Sequence, residues 1–528
     1  MPSSIVLSHV ALNAPDGRLL VPDIDLTFAV ERTGLIGRNG IGKTTLLNLI
    51  AGSRRAEPRG TENGTMGLMR QSVQDARDET LLTLFGVEAA MAMLQRAESG
   101  RAIGDELAGI DWTLESRLVS VLSGMGLDLP LDTRLAQLSG GQITQARFAA
   151  LIFANPDFLL LDEPTNNLDR DGRRTVIDML ANWRRGAIIV SHDRELLDGM
   201  DAIVELTSLG ATRYGGNWSH YRISRRLELA SAGRDLADAE KRLAVIDRKA
   251  QDIAEAKARK DSGGRRKQAK GDMPRILAGG RKDRSEDSGG KSRGVMERKR
   301  AQATEDSRIA RSRIEVLQPF KIDIPSTRLS EGKVVLEING VSAGYDPARP
   351  ILKDLTLSLT GPERLAVVGS NGSGKTTLLR LICGHLQPQS GTVRVMTDMA
   401  MLDQRVGLLD PATSVLENFR RINSAVGDNA SRAALAQFMF RADAAMQIVA
   451  SLSGGQLLRA GLACVLGGRQ PPGLLIIDEP TNHLDVQSIE TIEAGLRSYD
   501  GALIVVSHDE AFLEAVRISR RFSLAGPA

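Results

Sequence analysis

Short apolar runs broken by glycine organise this chain. Arg32 to Ile36 reads as a strand, Gly37-Arg-Asn39-Gly40-Ile-Gly42-Lys43-Thr44 follows, and Thr45 to Ile50 then has helical spacing. The same succession returns as Arg364 to Val368, Gly369-Ser-Asn371-Gly372-Ser-Gly374-Lys375-Thr376, and Thr377 to Ile382. Further unalternating runs sit at Phe158–Leu161 and Ala187–Val190, and again at Leu474–Ile477 and Leu503–Val506. Runs of this kind are expected of strands buried on both faces, as in a parallel sheet flanked by helices. Lys43 and Lys375 lie 332 residues apart, Ser139 and Ser453 314, and Asp162 and Asp478, like His192 and His508, 316. Elements repeated in one order at near-constant offset predict two homologous α/β domains.

Between the copies the period changes. Leu236, Ala239, Leu243, Ile246, Ala250 and Ile253 recur at spacings of three and four, a heptad seam that predicts a helix with one narrow stripe. A weaker stripe runs through Met296, Ala303, Ala310, Ile314 and Leu317. Ser262-Gly263-Gly264, Gly271, Pro274, Gly279-Gly280 and Ser288-Gly289-Gly290 lie between them and read as helix breakers. The expected shape is an antiparallel helical hairpin with an irregular polar tip, so the predicted domains are 1–221, a linker over 222–329, and 330–528. The first copy also has about 19 extra residues near Glu79 to Trp112. An added helical subdomain and a difference in loop length both fit that excess.

Composition excludes several classes. The 528 residues hold only Cys383 and Cys464, each in an apolar stretch, so no disulfide framework is expected and a reducing compartment is the natural reading. No apolar run reaches the roughly 18–20 residues of a membrane span. Leu82 to Leu94 is too short and contains Glu88. Met1-Pro-Ser-Ser carries no basic leader region, and a cytoplasmic location is expected. The net charge of +3 is an average: residues 257–300 carry 16 Lys or Arg against 6 Asp or Glu, a local +10, and leave −7 for the remainder. That stretch has no Phe, Tyr or Trp, so it suits phosphate-backbone contact rather than base stacking. A merely solvated linker is the competing reading.

Each Gly-x-x-x-x-Gly-Lys-Thr lies between a strand and a helix, the setting of a phosphate loop. The glycines and Asn39 or Asn371 let backbone N–H groups turn toward phosphate, at a helix N-terminus that favours anions. Lys43 and Lys375 are expected on the β- and γ-phosphates, Thr44 and Thr376 on Mg²⁺, and Thr45 and Thr377 beside them. Asp162 and Asp478 end apolar strands and are placed to hold Mg²⁺. Glu163 and Glu479 are candidates for the general base that activates water, and His192 and His508 for contact with the γ-phosphate or that water.

Leu138-Ser139-Gly140-Gly141-Gln142 and Leu452-Ser453-Gly454-Gly455-Gln456 resemble the signature of ATP-binding cassette ATPases, and with the other motifs the likeness covers some 420 residues. The resemblance implies ATP held between one cassette's phosphate loop and the other's signature. Site one would combine Lys43, Thr44, Gln71, Asp162, Glu163 and His192 with Ser453 and Gly455. Site two would combine Lys375, Thr376, Gln404, Asp478, Glu479 and His508 with Ser139 and Gly141. Gly140, Gln142, Gly454 and Gln456 complete the signature surfaces, and Gln71 and Gln404 would add Mg²⁺ contacts. Tyr345 stands where the family places an adenine-stacking aromatic, whereas Asn13-Ala-Pro-Asp16 offers none.

Pro480-Thr-Asn-His483-Leu-Asp485 is similar to the ABC-F branch, although the first copy has Asn167 where the second has His483. That branch implies a ribosome-associated ATPase, monomeric, with its linker near the tRNA exit region. It places Arg265, Arg266, Lys267, Lys270, Arg275, Arg281 and Lys282 on rRNA or tRNA. The alternative is the tandem-cassette ATPase subunit of a membrane importer, which predicts a short linker and a membrane partner. A DNA-associated clamp would carry a far longer hinge.

Overall fold

The computed structural model describes residues 4–52, 65–69, 79–101, 107, 109–166, 168–268, 298–309, 323–403, 406–482 and 484–524. Gln71, Asn167, Gln404 and His483 lie outside these residues, as do Lys270, Arg275, Arg281, Lys282, Met296, Ala310, Ile314 and Leu317. The chain forms two compact units, one of Met1–His220 with Pro319–Ala528 and the other of Tyr221–Gln318.

In the first unit the apolar runs become parallel strands. Arg32–Gly37 lies between Gly186–Val190 and Ala202–Thr207, while Phe158–Asp162 pairs with Gly186–Val190 and with Met66–Met69. The second copy repeats the order: Arg364–Val368 lies between Ala502–Val506 and Arg520–Ser523, and Leu474–Asp478 between Ala502–Val506 and Met399–Leu402. All of Phe158–Asp162 and Gly186–Val190 is buried, as strands covered on both faces must be. A Cβ on Gly186 would collide with the Phe158 ring, so this close strand approach requires glycine. Helices Lys43–Ile50 and Lys375–Ile382 follow the phosphate loops, packing Leu46 and Leu47, or Leu378 and Leu379, into the core.

The extra residues of the first copy resolve into helix. Thr80 and Ser414 each cap a helix, Leu81–Phe85 and Val415–Ile422, through a capping box, and each forms an isolated bridge, to Arg134 and Ile448. The next shared helices are Leu114–Gly124 and Asp428–Gln437, which start 34 residues after Thr80 and 14 after Ser414. Helix Glu88–Glu98 occupies the difference. Its Met91 and Leu94 pack with Leu114 and Leu118 in a small core that Phe85 and Phe153 border. An added helix of 11 residues thus makes up over half of this difference, and residues 102–106 and 108 lie outside the described set.

In the second unit helix Trp218–Gln268 spans 51 residues and continues through Ser262-Gly263-Gly264. Those residues read from sequence as a helix breaker, and the helix runs through them. Two glycines cost roughly 1 kcal/mol each inside a helix, too little to stop one flanked by Lys, Arg and Gln. Along the seam Ala239 is buried and Leu236, Leu243 and Ile246 are half-buried. The side chains of Ala250, Ile253, Arg265, Arg266 and Lys267 lie outside the described set. A second helix, 298–309, buries Ala303 and Ser307 and is tied to the long helix by Arg300 Nε to Asp247 Oδ1 at 2.8 Å. Residues 323–329, counted with the linker from sequence, are bonded to the second cassette: Thr327 N donates to Asp500 Oδ1 at 2.8 Å.

Candidate nucleotide-hydrolysis site

Both phosphate loops have the backbone their glycines predict. Gly42 and Gly374 have φ of 108° and 97° at the mouths of their helices. A Cβ on Gly37 would lie 2.5 Å from Leu206 O. Lys43 Nζ donates to Gly37 O at 2.7 Å and Arg38 O at 3.2 Å; Lys375 Nζ donates to Gly369 O at 2.7 Å and Ser370 O at 3.1 Å. Burial lowers the pKa of both lysines, against the opposing pull of Glu163 and Glu479. Thr44 Oγ1 donates to Asp162 Oδ2 at 2.7 Å, which sets two hard oxygen donors side by side, the kind Mg²⁺ prefers. A cavity of about 380 Å³ is bordered by Gly40, Gly42, Thr44 and Thr45 and, elsewhere on its wall, by Ala14 and Arg18. A loop of inward-turned glycines, a lysine and adjoining oxygen donors around such a cavity fits a nucleoside triphosphate with its metal. Ser453 and Gly455 are not among the residues of that wall.

Glu163 and Glu479 adopt left-handed backbone conformations, φ 53° and 47°. Each is clamped there because its N–H donates to the last residue of the neighbouring strand, Val190 O at 2.9 Å and Val506 O at 2.8 Å. The clamp brings Glu163 Oε1 to 3.2 Å from His192 Nε2, and Glu479 Oε1 to 3.4 Å from His508 Nε2. Burial raises Glu163 and lowers His192. Burial likewise raises Glu479 to about 7 and lowers His508 to about 4. Burial thus favours the uncharged form of each partner, and Glu479 gives up its proton near neutral pH, where its carboxylate can serve as a base.

The signature residues are helix caps. Ser139 caps Gly140–Ala154 and Ser453 caps Gly454–Leu466; each hydroxyl accepts from the backbone N–H of Gln142 or Gln456, whose side-chain oxygen accepts from the serine N–H in return. Gln142 and Gln456 thus have a structural task that the motif alone did not reveal, and each serine is fixed at a helix N-terminus, where anions are favoured. Gly455 is required by packing, since a Cβ there would lie 2.7 Å from Ser488 Oγ. Tyr345 is 58% exposed, and Arg380 holds its ring with Nη1 2.8 Å from the phenol oxygen.

The cassettes face each other through contacts that the sequence does not announce. Asn39 N donates to Asp485 Oδ2 at 2.9 Å, and Arg38 Nε to Gln487 Oε1 at 2.7 Å, so the first phosphate loop touches the second cassette. Asp485 and Asp169 both cap the helix after their Pro-Thr-Asn-x-Leu-Asp motif. That repeated motif was the available signal. Arg194 Nη1 meets Glu493 Oε1 at 2.7 Å, both buried. A second cavity of about 220 Å³ is lined by Glu163 and Glu479, by His192 and His508, and by Arg173.

Paired phosphate loops, strand-end Asp-Glu dyads, histidines and serine-capped signatures define a tandem ATP-binding cassette ATPase. The family model described as ABC transporter matches residues 23–166 and 352–482. Within that class the chain belongs to the ABC-F family, and it binds and hydrolyses ATP. It is 32% identical, over 96% of its length and 95% of the relative's, to the tylosin resistance ATP-binding protein TlrC of Streptomyces fradiae. It is 30% identical to the energy-dependent translational throttle protein EttA of Mycobacterium tuberculosis, over 94% of this chain and 87% of that protein. Its fold resembles an archaeal ribosome recycling factor, aABCE1, with a TM-score of 0.60 at 17% identity, over 98% of this chain and 87% of that one. Among the described residues no helix is long and apolar enough to cross a membrane.

Proposed function

We propose that this protein is a ribosome-binding ATPase whose cassettes close on ATP as a clamp and whose basic linker contacts rRNA or tRNA near the tRNA exit region, so modulating translation. The observation that carries the reading is the +10 segment over 257–300, inserted between two facing cassettes of an ABC-F chain. The resemblance to a relative named a translational throttle supports the same direction.

In this reading Thr44 with Asp162, and Thr376 with Asp478, would hold Mg²⁺, which when bound would supply charge neutralisation for the phosphates. Lys43 and Lys375 leave their carbonyl partners for phosphate oxygens. Glu163 and Glu479 take the proton of the attacking water, and His192 and His508 orient it. Ser453 and Gly455, or Ser139 and Gly141, offer hydroxyl and N–H donors from the facing cassette. Hydrolysis removes the phosphate that both cassettes grip, and the clamp opens.

The test replaces Glu163 and Glu479 with Gln, which should trap the ATP-closed state. The trapped variant is expected to sediment with ribosomes in ATP at low salt. If it stays in the supernatant, the ribosomal reading is wrong.

A further inference from the structure

The cavity between the cassettes is nearly symmetric. Glu163 and Glu479, Asn166 and Asn482, His192 and His508, Asp193 and Asp509 all line it, each pair related by the same 316-residue offset. Asn371 lines it without its counterpart Asn39, and one pair differs in chemistry. Arg173, on helix Arg170–Asn182, corresponds to Ile489, on helix Val486–Ser498. Only one of the two half-sites therefore receives a cation from its partner cassette at this position.

The contacts of Arg173 give that cation a direction. It is 9% exposed, so its guanidinium has little water to satisfy it. Nη2 bonds Asp193 Oδ1 of its own cassette, and Asp193 is itself fixed as the cap of helix Arg194–Asp198. Nη1 crosses to the second cassette and donates to His508 O at 2.9 Å. His508 Nε2 in turn lies 3.4 Å from Glu479 Oε1. Asp193 thus anchors a planar fork whose other prong holds the backbone of the second site's histidine. At the first site Ile489 cannot donate to His192 in the same way.

We infer that Arg173 is a positioning residue for site two. It sets His508, and through it Glu479, only while the cassettes are docked, and it makes the two ATP sites inequivalent. A planar guanidinium suits the task because it serves a carboxylate and a carbonyl at once, which a lysine ammonium does less well. The inference rests on the assignment of Glu163 and Glu479 as the hydrolytic residues of their sites.

The test measures turnover one site at a time in the full chain. Glu163→Gln leaves site two to hydrolyse and Glu479→Gln leaves site one. Arg173→Lys and Arg173→Gln are placed in each background, with thermal melting of every variant. In the Glu163→Gln background kcat is expected to fall at least tenfold with KM for ATP little changed, and Lys should recover more than Gln. In the Glu479→Gln background the fall should stay within about twofold. An unchanged site-two kcat, or an equal fall at both sites tracking a lowered melting temperature, overturns the inference. If the Glu163→Gln, Glu479→Gln double variant still turns over ATP, the underlying assignment fails, and the inference with it.

Discussion

Glu479 and His508 depart from ordinary protonation in opposite senses, and the consequence can be measured. Burial raises the glutamate from 4.5 to about 7 and lowers the histidine from 6.5 to about 4. With a raised carboxyl, the folded chain holds more protons than the unfolded one between about pH 4.5 and 7, so stability falls as pH rises through that window. With a lowered histidine, the unfolded chain holds more protons between about pH 4 and 6.5, so stability rises with pH there. At 1.36 kcal/mol per pH unit each arm reaches about 3 kcal/mol, somewhat less for the less enclosed histidine. Because the arms oppose, the contribution of this pair nearly cancels where the windows overlap, between about pH 4.5 and 6.5. Taken against the parent, Glu479→Gln loses the falling arm and should give a rising difference between about pH 4.5 and 7, and His508→Gln a falling difference between about pH 4 and 6.5. Urea midpoints of nucleotide-free protein across this range, variant minus parent, give the two slopes. Slopes of the same sign, or slopes no different from the parent's, would refute the account of a buried neutral pair.

The buried Arg194–Glu493 pair predicts a non-additive double substitution. Arg194→Met strands a buried carboxylate and should cost about 3–5 kcal/mol. Adding Glu493→Leu should restore most of that loss, because Arg194 Nε and Nη2 find no hydrogen-bond partner among the described residues. Urea midpoints of the single and double variants check it. Gly455→Ala drives a methyl against Ser488 and should lower stability by roughly 1–3 kcal/mol while weakening retention of ATP in the trapped background. Gln at Arg265, Arg266 and Lys267 should reduce the slope of log affinity for ribosomes against log salt by about 2–3. An unchanged slope would return this stretch to a solvated segment.

The repeat, both parallel sheets and the phosphate loops were legible because each rests on local pattern: unalternating apolar runs, glycines at fixed spacing, a lysine at a helix start. The heptad seam likewise announced the long helix. Its length was underestimated because Gly263-Gly264 is a weak penalty set against a long favourable run. Less legible was anything decided by tertiary approach. The capping task of Gln142 and Gln456 is the exception, a local Ser-x-x-Gln spacing that the signature resemblance overshadowed. The Asp485 contact with Asn39 and the reach of Arg173 to His508 depend on how the cassettes face. The clamp on Glu163 depends on the end of a neighbouring strand that lies 27 residues later in the chain.

That clamp has an evolutionary corollary. A glutamate at φ near +50° sits where Asn and Gly are at ease, so the carboxylate proposed as the general base is the conformationally expensive choice at both positions, by roughly 1 kcal/mol or more each. Single substitutions to Asn or Gly would relax the backbone while abolishing the base. Mutational drift toward an ATP-binding but non-hydrolysing half-site would then be downhill in folding free energy. Keeping glutamate at both positions therefore has to be upheld by selection on turnover, since selection for a stable fold alone would favour its loss.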